Sequence, residues 1–203
     1  MKNLVVTLFA VAALTACKKN EPTSSSQSTE STTMSPPAES GMTVSDSTKM
    51  GEPKDQTTSL SDQDKKFADA AAKGGLMEVM MGDLAATNAE NSAVKSLGAM
   101  MVRDHTKAND ELKKWASGIG YTLPAGLDAE KQKMYDDLKA KKGKDFDKKY
   151  TDLMVSDHKE DIEEFKKEAA EGKESSLKSF ASKTLPTLEH HLKESEKAKN
   201  AVK

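Results

Sequence analysis

The stretch MVRDH at residues 101–105 returns as MVSDH at residues 154–158. The similarity continues after both copies, since ELKK at 111–114 matches EFKK at 164–167. It therefore covers several helical turns. We interpret the chain as an internally duplicated helical protein.

Four long segments around these copies carry apolar residues at helical spacing. The first runs from a cap at Ser61 to a turn at 88–91, and the second holds an unbroken heptad pattern over 94–115. A third begins near Lys144, and a fourth follows residue 172 and contains Pro186, which we expect to kink it. The pair at 74–75 is Gly-Gly, which indicates close helix packing or a kink in the first helix.

The connection between the second and third long helices, 121–144, is predicted to contain a short helix at 127–141. A second similarity, SAVKSL at 92–97 with SSLKSF at 175–180, relates the second long helix to the fourth. The predicted fold class is therefore all-α: a ferritin-like four-helix bundle of two helical hairpins with a long crossover, over residues 60–200.

Composition agrees with this fold and narrows the function. Charged residues make up 32% of the chain and aromatic residues 4%, which suits long helices better than sheets. Lys and Arg number 31 against 33 Asp and Glu, so the net charge does not favour nucleic acid as a partner. The eleven Met residues lie in mixed helical stripes, and we interpret them as core packing rather than as copper ligands.

The first 59 residues predict a membrane anchor and a tether. Residues 1–16 have a short basic start and an apolar run too short to span a bilayer, which is typical of a signal peptide. LTAC at 14–17 resembles the lipobox of bacterial lipoproteins, and Cys17, the one Cys of the chain, is the predicted lipidation site. Residues 17–59 are rich in Ser, Thr and Pro and predict a disordered tether. The expected location is the bacterial cell envelope, lipid-anchored at the outer membrane, with the domain in the periplasm or at the surface.

Short motifs spread over 67–197 carry a resemblance to a known family. They are FA at 67–68, GLME at 75–78, MVRDHT at 101–106, GYTLP at 120–124, FD at 146–147 with Tyr150, MVSDH at 154–158, LP at 185–186 and HL at 191–192. Together they resemble the bacterial domain of unknown function 4142 family. The resemblance implies a ferritin-like fold and an outer-membrane or envelope location, and it brings no established activity.

Each long helix places one potential metal ligand on or beside its apolar stripe. These residues are Glu78, His105, His158 and His191, and Asp104 and Asp157 stand next to two of the histidines. At a rise of about 1.5 Å per residue, Glu78 and His105 lie at similar depth from the turn that joins their helices, so a shared layer is predicted. Imidazole and carboxylate together suit a divalent Zn, Fe or Mn ion, and each Asp could orient the His beside it.

The same layer has an alternative interpretation. Buried His and Asp side chains can form interhelical hydrogen bonds that fix helix register with no metal. No Glu-x-x-His occurs, which disfavours a di-iron oxidase, and there is no Gly-x-Ser-x-Gly and no phosphate-binding glycine loop. The sequence therefore predicts a non-enzymatic binding or stress-protection module. The alternatives are a metal-binding protein that uses the inward layer, and a structural envelope spacer. The sequence identifies no protein or cell-wall partner.

Overall fold

A computed structural model of the chain describes residues 60–203, so the predicted signal peptide, Cys17 and the tether lie outside the described residues. The described part is helical: α1 (Asp62–Asn88), α2 (Ser92–Gly118), α3 (Ala129–Lys139), α4 (Gly143–Glu171) and α5 (Ser175–Ala201). Helix α1 packs along α2, and α4 packs along α5. The two hairpins meet through α1 with α4 and α2 with α5, while α3 lies against α1. The predicted all-α bundle of two hairpins with a helical crossover is confirmed.

No helix between residues 60 and 203 combines the length and the apolar character needed to cross a membrane.

Two hydrophobic clusters fill the bundle and leave a polar layer between them. On α2 one cluster includes Met101 and the other includes Leu112, so His105 lies between the two. The same holds on α5, where Leu188 and Ala198 belong to different clusters and His191 lies between them. Four methionines are fully buried in the core, as the packing interpretation predicts: Met77, Met81, Met101 and Met154.

The two hairpin turns are held in the same way, each by an aspartate of the opposite hairpin. Asp64 of α1 accepts hydrogen bonds from the backbone N–H groups of 173–174, at 2.8 and 3.2 Å. Asp147 of α4 accepts them from the N–H groups of 90–91, at 3.2 and 2.8 Å. The number of residues between Asp64 and Asp147 equals the number between the two turns that they hold. The geometry therefore repeats from one hairpin to the other.

The ends of α3 differ in detail from the sequence expectation. Helix α3 is shorter than the predicted 127–141 because Asp128 caps it, accepting from the N–H of Lys131 at 3.0 Å. At its other end the side-chain amide of Asn88 donates to the carbonyls of Lys139 and Lys141, at 3.3 and 3.1 Å. Helix α5 continues through Pro186 without an interruption.

Small residues allow α1 and α2 to approach closely. A Cβ at Gly98 would lie 2.5 Å from the Cβ of Ala85 and 2.8 Å from the carbonyl oxygen of Gly82. A Cβ at Gly75 would collide with the side chain of Asn109. Of the two explanations for the Gly-Gly pair, close packing is the one that the structure supports at Gly75.

Candidate metal centre

Three histidines from three helices converge in the polar layer. His105 of α2, His158 of α4 and His191 of α5 are 6%, 0% and 1% exposed. Each offers one ring nitrogen that lies within 4.8 Å of a nitrogen of each of the others. The closest measured pair is His158 Nε2 and His191 Nδ1, at 3.2 Å. The three rings therefore lie against one another between the hydrophobic clusters.

The partners of His158 and His191 assign their tautomers. His158 Nδ1 lies 3.0 Å from the carbonyl oxygen of Met154, an acceptor, so this nitrogen carries a proton and donates it. His191 Nε2 lies 3.0 Å from Asp104 Oδ2, which likewise accepts. Arg103 holds that carboxylate through two contacts, at 2.7 and 2.8 Å. In the neutral rings, His158 Nε2 and His191 Nδ1 therefore carry lone pairs.

His105 follows the same scheme through Glu78. Its Nδ1 lies 2.9 Å from Glu78 Oε2, a contact that is not aligned as a hydrogen bond but favours the proton on Nδ1 electrostatically. Its Nε2 is buried and has no hydrogen-bond partner among the described residues. An unpaired buried nitrogen of this kind costs free energy unless something outside the chain binds it. With the proton on Nδ1, His105 Nε2 therefore carries a lone pair, as His158 Nε2 and His191 Nδ1 do.

The contact between His158 and His191 is unfavourable without a cation. A hydrogen bond between their facing nitrogens would require one ring to become an imidazolium, and burial opposes that charge. Burial lowers the pKa of His105 to about 4 and that of His191 to about 4. Burial, followed by the charges of the other two rings, lowers the pKa of His158 to about 3. At neutral pH the three rings are neutral, and two lone pairs face each other at 3.2 Å.

This spacing suits a shared metal ion. Two nitrogens bound to one tetrahedral ion at about 2.0–2.1 Å lie about 3.3 Å apart. In metal sites the outer nitrogen of each ligating His is usually hydrogen-bonded to a carboxylate or a backbone carbonyl. Here the outer nitrogens face Glu78, the carbonyl of Met154 and Asp104.

Glu78 connects this cluster to further carboxylates. It is fully buried on α1, and its Oε1 lies 3.3 Å from His158 Nδ1 while Oε2 faces His105. Burial, and after it the charge of Asp157, raises the pKa of Glu78 well above the ordinary value of 4.5. A cation nearby would favour the ionised form of this carboxylate.

We predicted that Asp104 and Asp157 each orient the histidine next to them in the sequence, and the structure shows that they do not. Asp104 contacts His191 of α5, and Asp157 lies with Glu78 and Asp161. The reason is geometric, because consecutive residues of a helix project about 100° apart and cannot share one target.

Asp161 was missed by the sequence reasoning. One oxygen each of Glu78, Asp157 and Asp161 lie within 4.8 Å of one another. Two signals were present in the sequence. Asp161 follows Asp157 by four residues, which places both on one helix face, and it corresponds to Glu78 in the hairpin repeat that also relates Asp64 to Asp147.

The outer side of the histidine cluster is reached from the surface. A groove of about 480 Å³ is lined by residues of α2 and α5 that include Asp104 and the exposed His190. Asp104 is the residue of this groove that contacts His191. Solvent and ions therefore approach the cluster to within one side chain.

Residues 49–198 match the family described as Domain of unknown function (DUF4142). None of the curated proteins matches the sequence. Among solved structures, a DUF305 fragment from Deinococcus radiodurans is 10% identical with a TM-score of 0.61, covering 70% of this chain and 98% of that one. CopM in the Cu(II)-bound form is 17% identical with a TM-score of 0.58, covering 68% and 96%. CopM in the Ag-bound form is 17% identical with a TM-score of 0.54, covering 66% and 93%. At these identities the likeness shows the fold alone.

Proposed function

This chain belongs to the DUF4142 family, and from its site we propose that it binds one late first-row transition-metal ion through His105, His158 and His191. The observation that carries the proposal is the convergence of three buried ring nitrogens whose outer partners leave lone pairs facing inward. In this proposal the protein is a non-enzymatic metal-holding module, because the three histidines are buried and the surface groove reaches only the outer side of the cluster, at Asp104.

The donor set indicates the metal. Imidazole nitrogen suits Cu²⁺ and Zn²⁺, and affinity for such sites is highest for Cu²⁺ in the divalent first-row series. From the sequence we predicted Zn, Fe or Mn, because we expected carboxylates to bind the metal together with the imidazoles. The oxygens of Asp104 and Glu78 instead face the outer nitrogens of the imidazoles, which shifts the preference to copper and zinc. The structures of CopM in Cu(II)-, Cu(I)- and Ag-bound forms support copper within this pair.

Each residue of the layer has a separate task in this proposal. His105, His158 and His191 supply the ligand atoms. Glu78, the Met154 carbonyl and Asp104 fix the orientation and the tautomer of the rings. A bound copper or zinc ion would supply the positive charge that the facing lone pairs lack.

Metal analysis with a matched pair of variants tests the proposal. The purified protein is stripped with a chelator, given Cu²⁺ or Zn²⁺, and passed through a desalting column before metal is measured. We expect one equivalent retained by the native protein and by His190→Ala, whose target is exposed and adjacent to the site. His105→Gln is expected to lose that equivalent while keeping its helical content.

A polar layer that only fixes helix register predicts a different result. In that case the native protein retains no stoichiometric metal and its melting temperature does not respond to Cu²⁺ or Zn²⁺. His105→Gln would then lower the melting temperature by the same amount with and without metal. This outcome would overturn the metal proposal.

We also propose that the bundle works in the bacterial cell envelope, attached to a membrane through lipidated Cys17. Support comes from the LTAC motif at 14–17 and from the Ser/Thr/Pro-rich 17–59 that follows. Cys17→Ala is expected to release the protein from the membrane fraction in its native host. A variant that stays membrane-bound and normally processed would contradict the anchor.

A further inference from the structure

A second cluster of potential ligands lies on the other side of Glu78. We infer that Glu78, Asp157 and Asp161 form a separate site for a hard divalent cation of the Mn²⁺, Mg²⁺ or Ca²⁺ class. One oxygen from each of these three carboxylates lies within 4.8 Å of one oxygen of each of the others. This site goes beyond the proposed histidine site and does not require it.

Unpaired buried oxygens distinguish this cluster from an ordinary acidic surface. Glu78 is 0% exposed and Asp157 is 9% exposed. Both Glu78 oxygens and Asp157 Oδ2 are buried and have no hydrogen-bond partner among residues 60–203. Buried carboxylate oxygens are normally hydrogen-bonded or bound to a metal, because leaving them unpaired is costly. In the described part of the chain, Asp157 Oδ2 has no partner, and the Glu78 oxygens have only the misaligned contacts with His105 and His158 Nδ1, at 2.9 and 3.3 Å, so the cluster indicates a missing ligand.

The positive charges around the cluster do not complete it. Lys131 of α3 is the lysine whose charge acts on all three carboxylates. Among the described residues, however, it forms no ion pair with any of them within 4.0 Å. Glu78 instead contacts the Nδ1 atoms of His105 and His158, at 2.9 and 3.3 Å. Between residues 60 and 203, no lysine or arginine therefore pairs directly with the cluster.

The position of Asp161 gives the cluster access to solvent. Asp161 is partly exposed, so the cluster reaches solvent at its edge. Opposite it on α1 stands Gly74, where a Cβ would lie 3.9 Å from Asp161 Oδ1. No side chain of residue 74 therefore covers this carboxylate.

The chemistry of the ligands defines the class of cation. Carboxylate oxygens suit Mg²⁺, Ca²⁺ and Mn²⁺, whereas imidazole suits copper and zinc. Asp157 and Asp161 come from successive turns of α4, and Glu78 approaches from α1, so a bound cation would tie the two hairpins together. Because the oxygens of Glu78 also face His105 and His158, this carboxylate would connect the two sites.

Titration with Mn²⁺, followed by loss of its free electron paramagnetic resonance signal, tests this site separately from the histidines. It is performed on the native protein preloaded with Zn²⁺ and on the His105→Gln variant. We expect one Mn²⁺ per chain in both, whether or not the histidine site holds metal. Asp161→Asn is expected to weaken Mn²⁺ binding by about tenfold or more, since one of three ligand charges is removed.

Two further variants complete the experiment. Asp83→Asn changes an exposed carboxylate on the same helix as Glu78 and is expected to leave Mn²⁺ affinity unchanged. Lys131→Met is expected to tighten binding several-fold, because it removes a positive charge that acts on the site. Without added cation, Asp161→Asn is expected to raise the melting temperature by relieving repulsion, which also shows that this variant folds.

The cation site is overturned by either of two results. One is a native protein that takes up no Mn²⁺ at concentrations up to about 1 mM, a weak limit for carboxylate sites. The other is an Asp161→Asn variant that binds Mn²⁺ as tightly as the native protein. In both cases the three carboxylates would share protons in place of a cation.

Discussion

The outer nitrogen of each imidazole decides what the inner nitrogen can do. Asp104 is the best example, because it accepts from His191 Nε2 and thereby leaves His191 Nδ1 free to bind. Hydrogen bonding from Arg103 lowers the pKa of Asp104 to about 2, so this carboxylate is ionised at neutral pH. The aspartate therefore acts on the site through His191 rather than as a ligand.

Replacing Asp104 tests this positioning role. Asp104→Asn is expected to weaken Cu²⁺ or Zn²⁺ binding by about 10–100-fold, the usual effect of removing such a partner. The measurement is a competition titration against a chelator of known affinity. Asp110→Asn, an exposed aspartate on the same helix, is the matched control. Equal affinities in the two variants would contradict the role of Asp104.

For individual residues, the sequence predicted which side chains face the core but not which side chains they contact. The heptad stripe of α2 placed His105 in the core, and the stripe of α5 did so for His191. Stripe analysis cannot show that Asp104 reaches across to His191, because that contact depends on how α2 packs against α5. Asp161 was missed for a related reason, since its partners Glu78 and Asp157 are brought to it by the packing of α1 on α4.

The helices themselves were predicted well where capping chemistry is local. Ser61 caps α1 through a capping box with Asp64, and the turn after α1 contains Asn91, which caps α2. The crossover was predicted less well, because Asp128 caps α3 later than its apolar pattern begins and Asn88 from α1 ends it. The first of these contacts is local, but the second requires the folded hairpin.

The close contact between α1 and α2 predicts that adding one methyl group at Gly98 lowers the stability of the protein. In Gly98→Ala the new Cβ would lie 2.5 Å from Ala85 Cβ, so the helices must separate. We expect the free energy of unfolding to fall by about 1–3 kcal/mol, measured by denaturant titration. Gly118→Ala has no neighbour within 4 Å and should change stability little. If both variants lose the same stability, the close approach is not what constrains Gly98.

The cap of α1 predicts a pH dependence. Burial raises the pKa of Asp64, but hydrogen bonds from Ser61 and from the N–H groups of Lys173 and Glu174 outweigh it and lower the value to about 2. A lowered pKa in the folded state means that the contribution is complete above the ordinary value of 3.8 and is lost as the pH falls toward 2. Asp64→Asn is therefore expected to cost about 2 kcal/mol at pH 6 and progressively less below pH 4.

Denaturant titrations at about five pH values between 2.5 and 6 would measure how the stability difference between Asp64→Asn and the native protein changes with pH. Asp62→Asn, whose target is 94% exposed in the same helical turn, is the control. A difference between Asp64→Asn and the native protein that stays constant down to pH 2.5 would contradict the account.

In the whole molecule, a polar layer separates two hydrophobic clusters in a bundle made of two related hairpins. The repeat predicted the hairpins, and the structure adds that Asp64 and Asp147 hold the opposite turns in the same way. The histidines do not follow this hairpin repeat, because the likeness of 101–105 to 154–158 has a different spacing from that of 92–97 to 175–180. The position equivalent to His105 is Leu188, and the position equivalent to His158 is Gly75. The duplication explains the scaffold, whereas the site depends on residues that differ between the hairpins.

Metal binding should be visible in the stability of the whole bundle. An ion that binds only the folded state stabilises it by about 2.7 kcal/mol when its free concentration is a hundred times its Kd. We expect this gain for the native protein and for His190→Ala, and no gain for His105→Gln, in thermal unfolding with and without Zn²⁺. A gain of equal size in all three proteins would place the bound ion outside the histidine cluster.

The central claim is that three imidazoles from α2, α4 and α5 bind one ion, and X-ray absorption at the metal edge tests it most directly. For the protein loaded with one equivalent of Zn²⁺ or Cu²⁺, the account predicts nitrogen ligands at about 2.0–2.1 Å with the outer-shell scattering of three imidazoles. His105→Gln should lose one imidazole or the ion itself. A spectrum of the native protein that shows only oxygen ligands, sulfur at about 2.3 Å, or fewer than two imidazoles would contradict the account.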